Sequence, residues 1–399
     1  MTNSPAPRPA ADPGAGPRLG ALDGLRLAAA LFVVLFHYTG MNGANWGAGG
    51  DGPFPALSGV TRHGWTGVQL FFLISGFVIC QSGWGRPLGG FVVSRVARLY
   101  PAYWVAVALT AAVVAATTQL PLYMRQLRWS EVVVNLTMVQ TPLRVPDVDA
   151  PYWSLWPEIQ FYLLFALVVW RGVTYRRVVA FCALWTVGTL VAVGSGDGLL
   201  TFVSMPAYAP WFIAGMAFHL MHRYRPNLLL WGIVGVSWAQ GQYHLKVGPG
   251  GWPGLVPALL GTAYFALIAA VALGWLDRVR GRWWVVAGSL TYPLYLIHQA
   301  IGWIVIVRLH DAVPHWLLLA GLVAGMLGAA WLIHRFAEVP LGRLLRRRLG
   351  QAVEQVRGPG VTPPRQRAAP EPRPERPVAV SDSPCTRDGH LVRSGRRRP

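Results

Sequence analysis

Charged side chains are scarce in this chain, at 13% of 399 residues, where an average soluble domain carries roughly 25%. With 53% of the residues apolar, one soluble core cannot hide them all, so lipid is the expected solvent. Acidic residues are scarcer than basic ones: 16 Asp and Glu stand against 35 Lys and Arg, a formal net charge of +19. This excess does not indicate a nucleic-acid binder, because the arginines fall between the apolar blocks and in roughly the last fifty residues. Three cysteines, Cys80, Cys182 and Cys385, lie far apart with no C-x-x-C spacing, which excludes a disulfide framework and a zinc site. The first eighteen residues, rich in Pro and Ala, lack an apolar stretch, so they are not a secretory signal and the apolar run after them is read as a retained first helix.

What is present is a series of apolar blocks of about 17–25 residues, the length an α-helix needs to cross a hydrocarbon layer roughly 30 Å thick. The spans expected are 22–39, 64–83, 99–119, 152–170, 178–193, 206–222, 227–242, 253–276, 283–307 and 313–334. The fold class is therefore all-α, a polytopic transmembrane bundle of about ten helices. A further apolar stretch at 131–140 is too short to span and reads as a re-entrant or surface helix. With ten spans, one set of loops holds Arg86, Arg95, Arg98, Arg171, Arg176, Arg177, Arg223, Arg225, Arg278, Arg280 and Arg282, and the other set far fewer. The positive-inside rule then places the chain in the plasma membrane with both termini cytoplasmic. Three segments follow: 1–19, a disordered N-terminus; 20–349, the membrane domain; and 350–399, a basic Pro- and Arg-rich tail with too few apolar residues to offset its ordering entropy. The arginines of that tail suit anionic lipid headgroups.

Ionisable groups inside the apolar blocks are the candidates for chemistry, since burying them in lipid is costly. In the first span Arg26 and His37 stand eleven residues apart, about three helical turns, so they share a face roughly 16 Å apart along the axis. Arg95 and Arg98 share a face at i and i+3, and paired guanidiniums bind phosphate in fork geometry; positive charge that sets topology is the alternative. Glu158 lies about one turn into the fourth span, where a carboxylate must pair, protonate or face a polar cavity. Tyr295 and His298, three residues apart, again share a face. In the second span Ser75-Gly76-Phe77 reads as a close-packing site.

Together these strings resemble the membrane-bound acyltransferase-3 family. LDGLRLAAALFVVLFHY is similar to its opening motif, an arginine followed after ten residues by a histidine; SRVARLYP to its R-x-x-R element; and WSLWPEIQFY to W-S-L-x-x-E-x-x-F-Y. GSLTYPLYLIHQ resembles S-Y-x-x-Y-L-x-H, and Glu338-Val339-Pro340 a short E-x-P ending for which a structural role is expected. Gln69 stands where the family usually has an acid. The resemblance covers roughly residues 20 to 342 and implies transfer of an acyl group, acetyl being the family's commonest, from acyl-CoA to a hydroxyl of a carbohydrate, a glycolipid or a glycosylated small molecule. It makes His37 the catalytic base. Arg26 and Glu158 are assigned to orient it or bind substrate, and Arg95 and Arg98 to the donor phosphates. Asp23, Trp153, Ser154, Tyr295 and His298 are assigned to substrate contact, with no metal.

Histidine suits the base role because its ordinary pKa is about 6.5. No Ser or Cys stands in a nucleophile elbow, which favours direct transfer over an acyl-enzyme. A transporter or flippase would also bury His and Glu, but would more often show repeated halves with broken helices.

Overall fold

A computed structural model describes residues 19–357 except 42, 51, 122, 246–253 and 280. The expected disorder of residues 1–18 and 358–399, and Cys385 with them, lies outside the described residues. The helices are α1 (Gly20–Leu35, continued by a π-helical turn Phe36–Gly40), α2 (Pro55–Thr61), α3 (Gly67–Gly83), α4 (Leu88–Ala115) and α5 (Trp129–Asn135). They continue with α6 (Leu155–Trp170), α7 (Tyr175–Ser195), α8 (Gly198–Ser204), α9 (Ala209–Tyr224), α10 (Leu228–His244) and α11 (Leu255–Ala272). The last three are α12 (Arg282–Leu309), α13 (His315–Ile333) and α14 (Val339–Arg357). No strand occurs among the described residues. In lipid this is the expected outcome, because a helix satisfies its own backbone polar groups and an open sheet does not.

Among the described residues, nine helical segments are long and apolar enough to cross a membrane. The tenth expected span is α10, which at 17 residues falls just short of that length, yet the packing requires it to cross. Gly20 at the start of α1 lies so close to the start of α12 that a Cβ there would meet the Val279 carbonyl and the Trp284 side chain. The two helices therefore begin at the same end of the bundle, and the number of crossings between those starts must be even. Seven long segments precede α12, so α10 has to be the eighth. A 17-residue helix is about 26 Å long, enough for a thin hydrocarbon layer.

The bundle is organised around α9, which is apolar all round and buried along nearly its whole length, with Trp211, Phe212 and Phe218 fully enclosed. Its contact with α3 is backbone to backbone: a Cβ on Gly215 would strike Leu73 and Phe77, and one on Gly76 would strike Phe212. Small residues permit this approach where no aqueous hydrophobic effect drives helices together. The exposed apolar side chains lie elsewhere, as on α7, where Leu184, Val187 and Val191 are left for lipid.

Two boundaries differ from the sequence expectation. The third span begins at Leu88 rather than residue 99, so Arg95 and Arg98 sit inside a 28-residue helix rather than at its start. Arginine marks a span's end only where the alternative is lipid, and here the first turns of α4 face other protein and a water-accessible cavity. The tail does not begin at 350, because α14 runs through to Arg357. Its apolar residues Leu345, Leu349 and Val353 recur every four positions, giving the segment a face to bury that its overall composition conceals. The 131–140 stretch holds only the seven-residue α5, consistent with its being too short to span.

Candidate active site

A cavity of about 830 Å³ opens at the end of the bundle where α1 starts and α14 lies. Five arginines line it: Arg26 from α1, Arg86 from the α3–α4 turn, Arg95 and Arg98 from α4, and Arg346 from α14. Only two carboxylates, Glu158 and Glu354, share the lining, so the cavity suits an anion. The guanidiniums differ in how they are held. Arg98 forms an ion pair with the buried Glu338, which also binds His334 Nδ1 at 3.0 Å. Arg26 pairs with Asp23 at 3.5 Å. Arg95 lies over the rings of Phe91 and Tyr162 at 5.8 and 6.0 Å and binds no described carboxylate as an ion pair. Glu158 is itself held by two hydroxyls, with Ser75 donating at 3.1 Å and Tyr162 through a close contact.

At its inner limit the cavity reaches Ser154 and Tyr295, whose hydroxyls are 2.7 Å apart. Tyr295 also leads to a second polar group, a pair of histidines. His298 Nδ1 lies 2.8 Å from the Tyr295 carbonyl, and His298 Nε2 lies 3.1 Å from His37 Nδ1. His37 Nδ1 is in turn 3.0 Å from the Val33 carbonyl. Carbonyls only accept, so each neutral ring carries its proton on Nδ1, and this assigns the tautomers by their partners. His298 Nε2 is then a lone pair facing His37 Nδ1–H, while His37 Nε2 is a lone pair to which no described group hydrogen-bonds. His298 is fully buried, whereas His37 keeps partial solvent access. The π-helical turn begins one residue before His37, and such widened turns recur at functional sites.

The backbone around the pair is gripped from outside its own helices. Tyr152 donates to the Leu296 carbonyl at 3.1 Å, and Tyr38 to the His298 carbonyl at 2.7 Å. Both oxygens of Asp149 accept from the Ala300 N–H at 3.2 Å. Trp303 Nε1 donates to the His37 carbonyl at 2.8 Å. Gly302 allows this packing, since a Cβ there would meet the Tyr38 ring. Asp149, in the segment before α6, is buried, and desolvation pushes its carboxyl up to about 8, against the opposing pull of its hydrogen bonds from the Ala300 and Ala150 backbone. Burial likewise raises its neighbour Asp147 to about 6.

The sequence-derived residues thus fall into two groups. Arg26, Arg95, Arg98, Ser154, Glu158 and Tyr295 line the cavity, and His37 pairs with His298. Of the two roles offered for Arg26 and Glu158, orienting His37 or binding substrate, their place in the cavity lining suits the second, and the side chain within hydrogen-bond distance of His37 is that of His298. Arg95 and Arg98 are not an equivalent pair, because Glu338 engages only Arg98. Trp153 stands outside the cavity, about one-third exposed and packed on Tyr208 with ring centroids 5.5 Å apart. Asp23 is not in the cavity lining and pairs with Arg26, which is. The sequence reading missed Ser75, Tyr162, Asp149 and Arg346. A hydroxyl in the middle of the apolar α3 was the available signal for Ser75. Nothing local marks Asp149, whose partner is 151 residues away.

Acyltransferase MdmB of Streptomyces mycarofaciens is 26% identical to this chain, covering 83% of it and 93% of the relative. Protein 2 in picA locus of Rhizobium radiobacter is 39% identical over a shorter stretch, 23% of this chain and 43% of the relative. No solved structure matches. Residues 19–335, which include both histidines, Asp149 and all the cavity arginines except Arg346, match the family model described as an acyltransferase domain, and the chain belongs to that acyltransferase-3 family.

Proposed function

We propose that this membrane acyltransferase moves an acyl group, acetyl in the simplest case, from acyl-CoA to a hydroxyl of a carbohydrate, glycolipid or glycosylated small molecule, with His37 as the general base. The observation that carries this reading is the histidine contact of 3.1 Å, which leaves His37 Nε2 as an open lone pair, with His298 in ring contact with Tyr295 of the arginine-lined cavity at a centroid distance of 5.7 Å. The depth fits the donor: Arg26 and His37 are separated by about 16 Å of helix. Acyl-CoA likewise carries phosphates at one end and a thioester at the end of a long thin arm. The arginine loops fit the cytoplasmic side by the positive-inside rule, where acyl-CoA is made, which puts both termini in the cytoplasm.

The transfer is direct. His37 Nε2 takes the acceptor's hydroxyl proton as the oxygen attacks the thioester carbonyl. The new C–O bond forms, the C–S bond breaks, and the sulfur leaves with the electron pair and takes the proton from His37 Nε2, which regenerates the neutral base. The charge that develops on the His37 ring is met on its far side by the Val33 carbonyl and the His298 lone pair, both already in place. Ser154 and Tyr295 stand where the cavity ends, their hydroxyls 2.7 Å apart and both within donating distance of the Pro151 carbonyl, so they shape that end of the cavity with their protons already engaged.

The test compares the surface glycans and small metabolites of cells with and without the protein by mass spectrometry, which identifies the acylated acceptor. Transfer is then measured in His37→Ala and His37→Gln. An imidazole base contributes typically about 10²- to 10⁴-fold, so both variants should lose transfer by that order while still inserting and expressing. Glutamine keeps a hydrogen-bonding amide but takes up no proton near neutral pH. Transfer by His37→Gln near the wild-type rate would remove His37 from the mechanism.

A further inference from the structure

Helix α14 lies beyond the residues matched by the family model, and it closes one side of the arginine cavity. Its seat is specific. A Cβ on Gly342 would come within 2.9 Å of the Ala97 carbonyl, and one on Gly89 would meet Val353 at 2.5 Å, so each helix offers a glycine to the other. These contacts are eleven residues apart on α14, about three turns, and fix it along the first turns of α4. That register places Arg346, Gly350 and Val353 at the cavity; Arg346 is exposed, as are Arg343, Arg347 and Arg348, but those three lie outside the lining.

Arg346 shares the cavity with Arg86, and neither has an ion-pair partner among the described residues. Deeper in, Arg95 lies within electrostatic range of Arg86, and Arg98 within range of Arg26 and Arg95. A chain of guanidiniums that repel one another is unfavourable in the empty protein and becomes favourable once several anionic groups lie along it. Phosphate is the group that guanidinium forks match.

We propose that α14 completes the donor site, with Arg346 and Arg86 forming an outer clamp that holds the phosphates of the donor's nucleotide end. This inference rests on the acyl-CoA reading above and adds to it the residue that selects for a phosphorylated, nucleotide-bearing acyl carrier. Arg346 acts by binding and takes no part in the proton transfer. Glu354, on the same helix and in the same lining, opposes it, so removing that charge should tighten donor binding.

The experiment is calorimetric titration of the purified full-length chain in detergent with coenzyme A and with pantetheine, the same arm without its nucleotide. For coenzyme A, Arg346→Gln should weaken binding about tenfold, the scale of one hydrogen bond to a charged group. Arg347→Gln, which removes the same charge one residue outside the cavity, should change it less than about twofold, and Glu354→Gln should tighten it. For pantetheine, read by competition at high concentration, Arg346→Gln should match wild type. Equal weakening by Arg346→Gln and Arg347→Gln would reduce α14 to a diffuse positive field and overturn the clamp, as would an Arg346→Gln protein that binds coenzyme A normally. If the wild-type protein binds coenzyme A no better than pantetheine, the donor reading fails and the clamp fails with it, an outcome distinct from either.

Discussion

The arginine cavity and the histidine pair lie within one bundle and are built on opposite principles. In the cavity, charged side chains point into accessible space and are held loosely, over aromatic faces or by single carboxylates. At the histidine pair two imidazoles meet at 3.1 Å, and precision comes from backbone carbonyls and N–H groups gripped by Tyr38, Tyr152, Asp149 and Trp303. The difference follows from what each part has to do. Binding a multiply charged ligand rewards charge that can adapt, whereas a base has to be neutral and in place before the proton arrives. A charged partner beside His37 would have to be desolvated along with it, while a carbonyl is a fixed dipole that costs far less to bury.

The contrast predicts different kinds of failure. The largest expected effect after loss of His37 itself is at His298. His298→Ala removes the ring that meets His37 Nδ1 and should cost about 10²-fold in transfer rate, with the affinity for donor unchanged. His298→Gln, which restores a group able to hydrogen-bond Nδ1, should recover part of the rate. If His298→Ala weakened donor binding and left the rate alone, the pair would belong to the cavity rather than stand apart from it.

Next in size are the arginines, where affinity should fall and the bound-state rate hold. Arg95→Gln removes a guanidinium that no described carboxylate holds in an ion pair and should weaken donor binding about tenfold. Arg98→Gln should act differently, because it leaves the buried Glu338 facing only His334. A buried charge stripped of its partner destabilises the fold, so the thermal midpoint in detergent should fall more than in Arg95→Gln. The double variant Arg98→Gln, Glu338→Gln should recover part of that loss without recovering donor affinity. Equal thermal loss in Arg95→Gln and Arg98→Gln would mean that the two arginines are equivalent after all, as the sequence alone suggests.

What could be read in the sequence divides along the same line. Spans, charge asymmetry and the sequence positions of His37, Glu158, Arg95 and His298 were legible because each is a local pattern: a run of apolar residues, or an ionisable group where lipid should be. The pairing of His37 with His298 was not, since 261 residues separate them and each helix face alone is compatible with several neighbours. The Arg98 pairing with Glu338 was hidden in the same way, although both residues had been noticed separately. The last turns of α14, residues 350–357, were assigned to the tail for another reason. Averaged with the basic, Pro-rich sequence beyond them, their composition hides the four-residue apolar period, ending at Val353, that docks the helix on α4.

The smallest effect expected is the most specific to the histidine pair's scaffold, and it concerns Asp149. Its carboxyl lies buried against the Ala300 N–H, with a pKa near 8 in the folded protein and about 3.9 when exposed. A group raised on folding gives its full stability below the unfolded value and loses it as pH rises toward the folded value, because the unfolded chain then gives up a proton that the folded one retains. Asp147, raised to about 6, makes a similar contribution that is already spent above that pH, and its charge then adds to the pressure on Asp149. The window that isolates Asp149 is therefore pH 6 to 8. Across it the thermal midpoint of the wild-type protein should fall by a few degrees more than that of Asp149→Asn, which cannot titrate and whose side-chain oxygen still accepts from Ala300. Parallel slopes for the two proteins would show that Asp149 keeps one protonation state throughout, leaving the grip on α12 to the hydrogen-bond geometry alone.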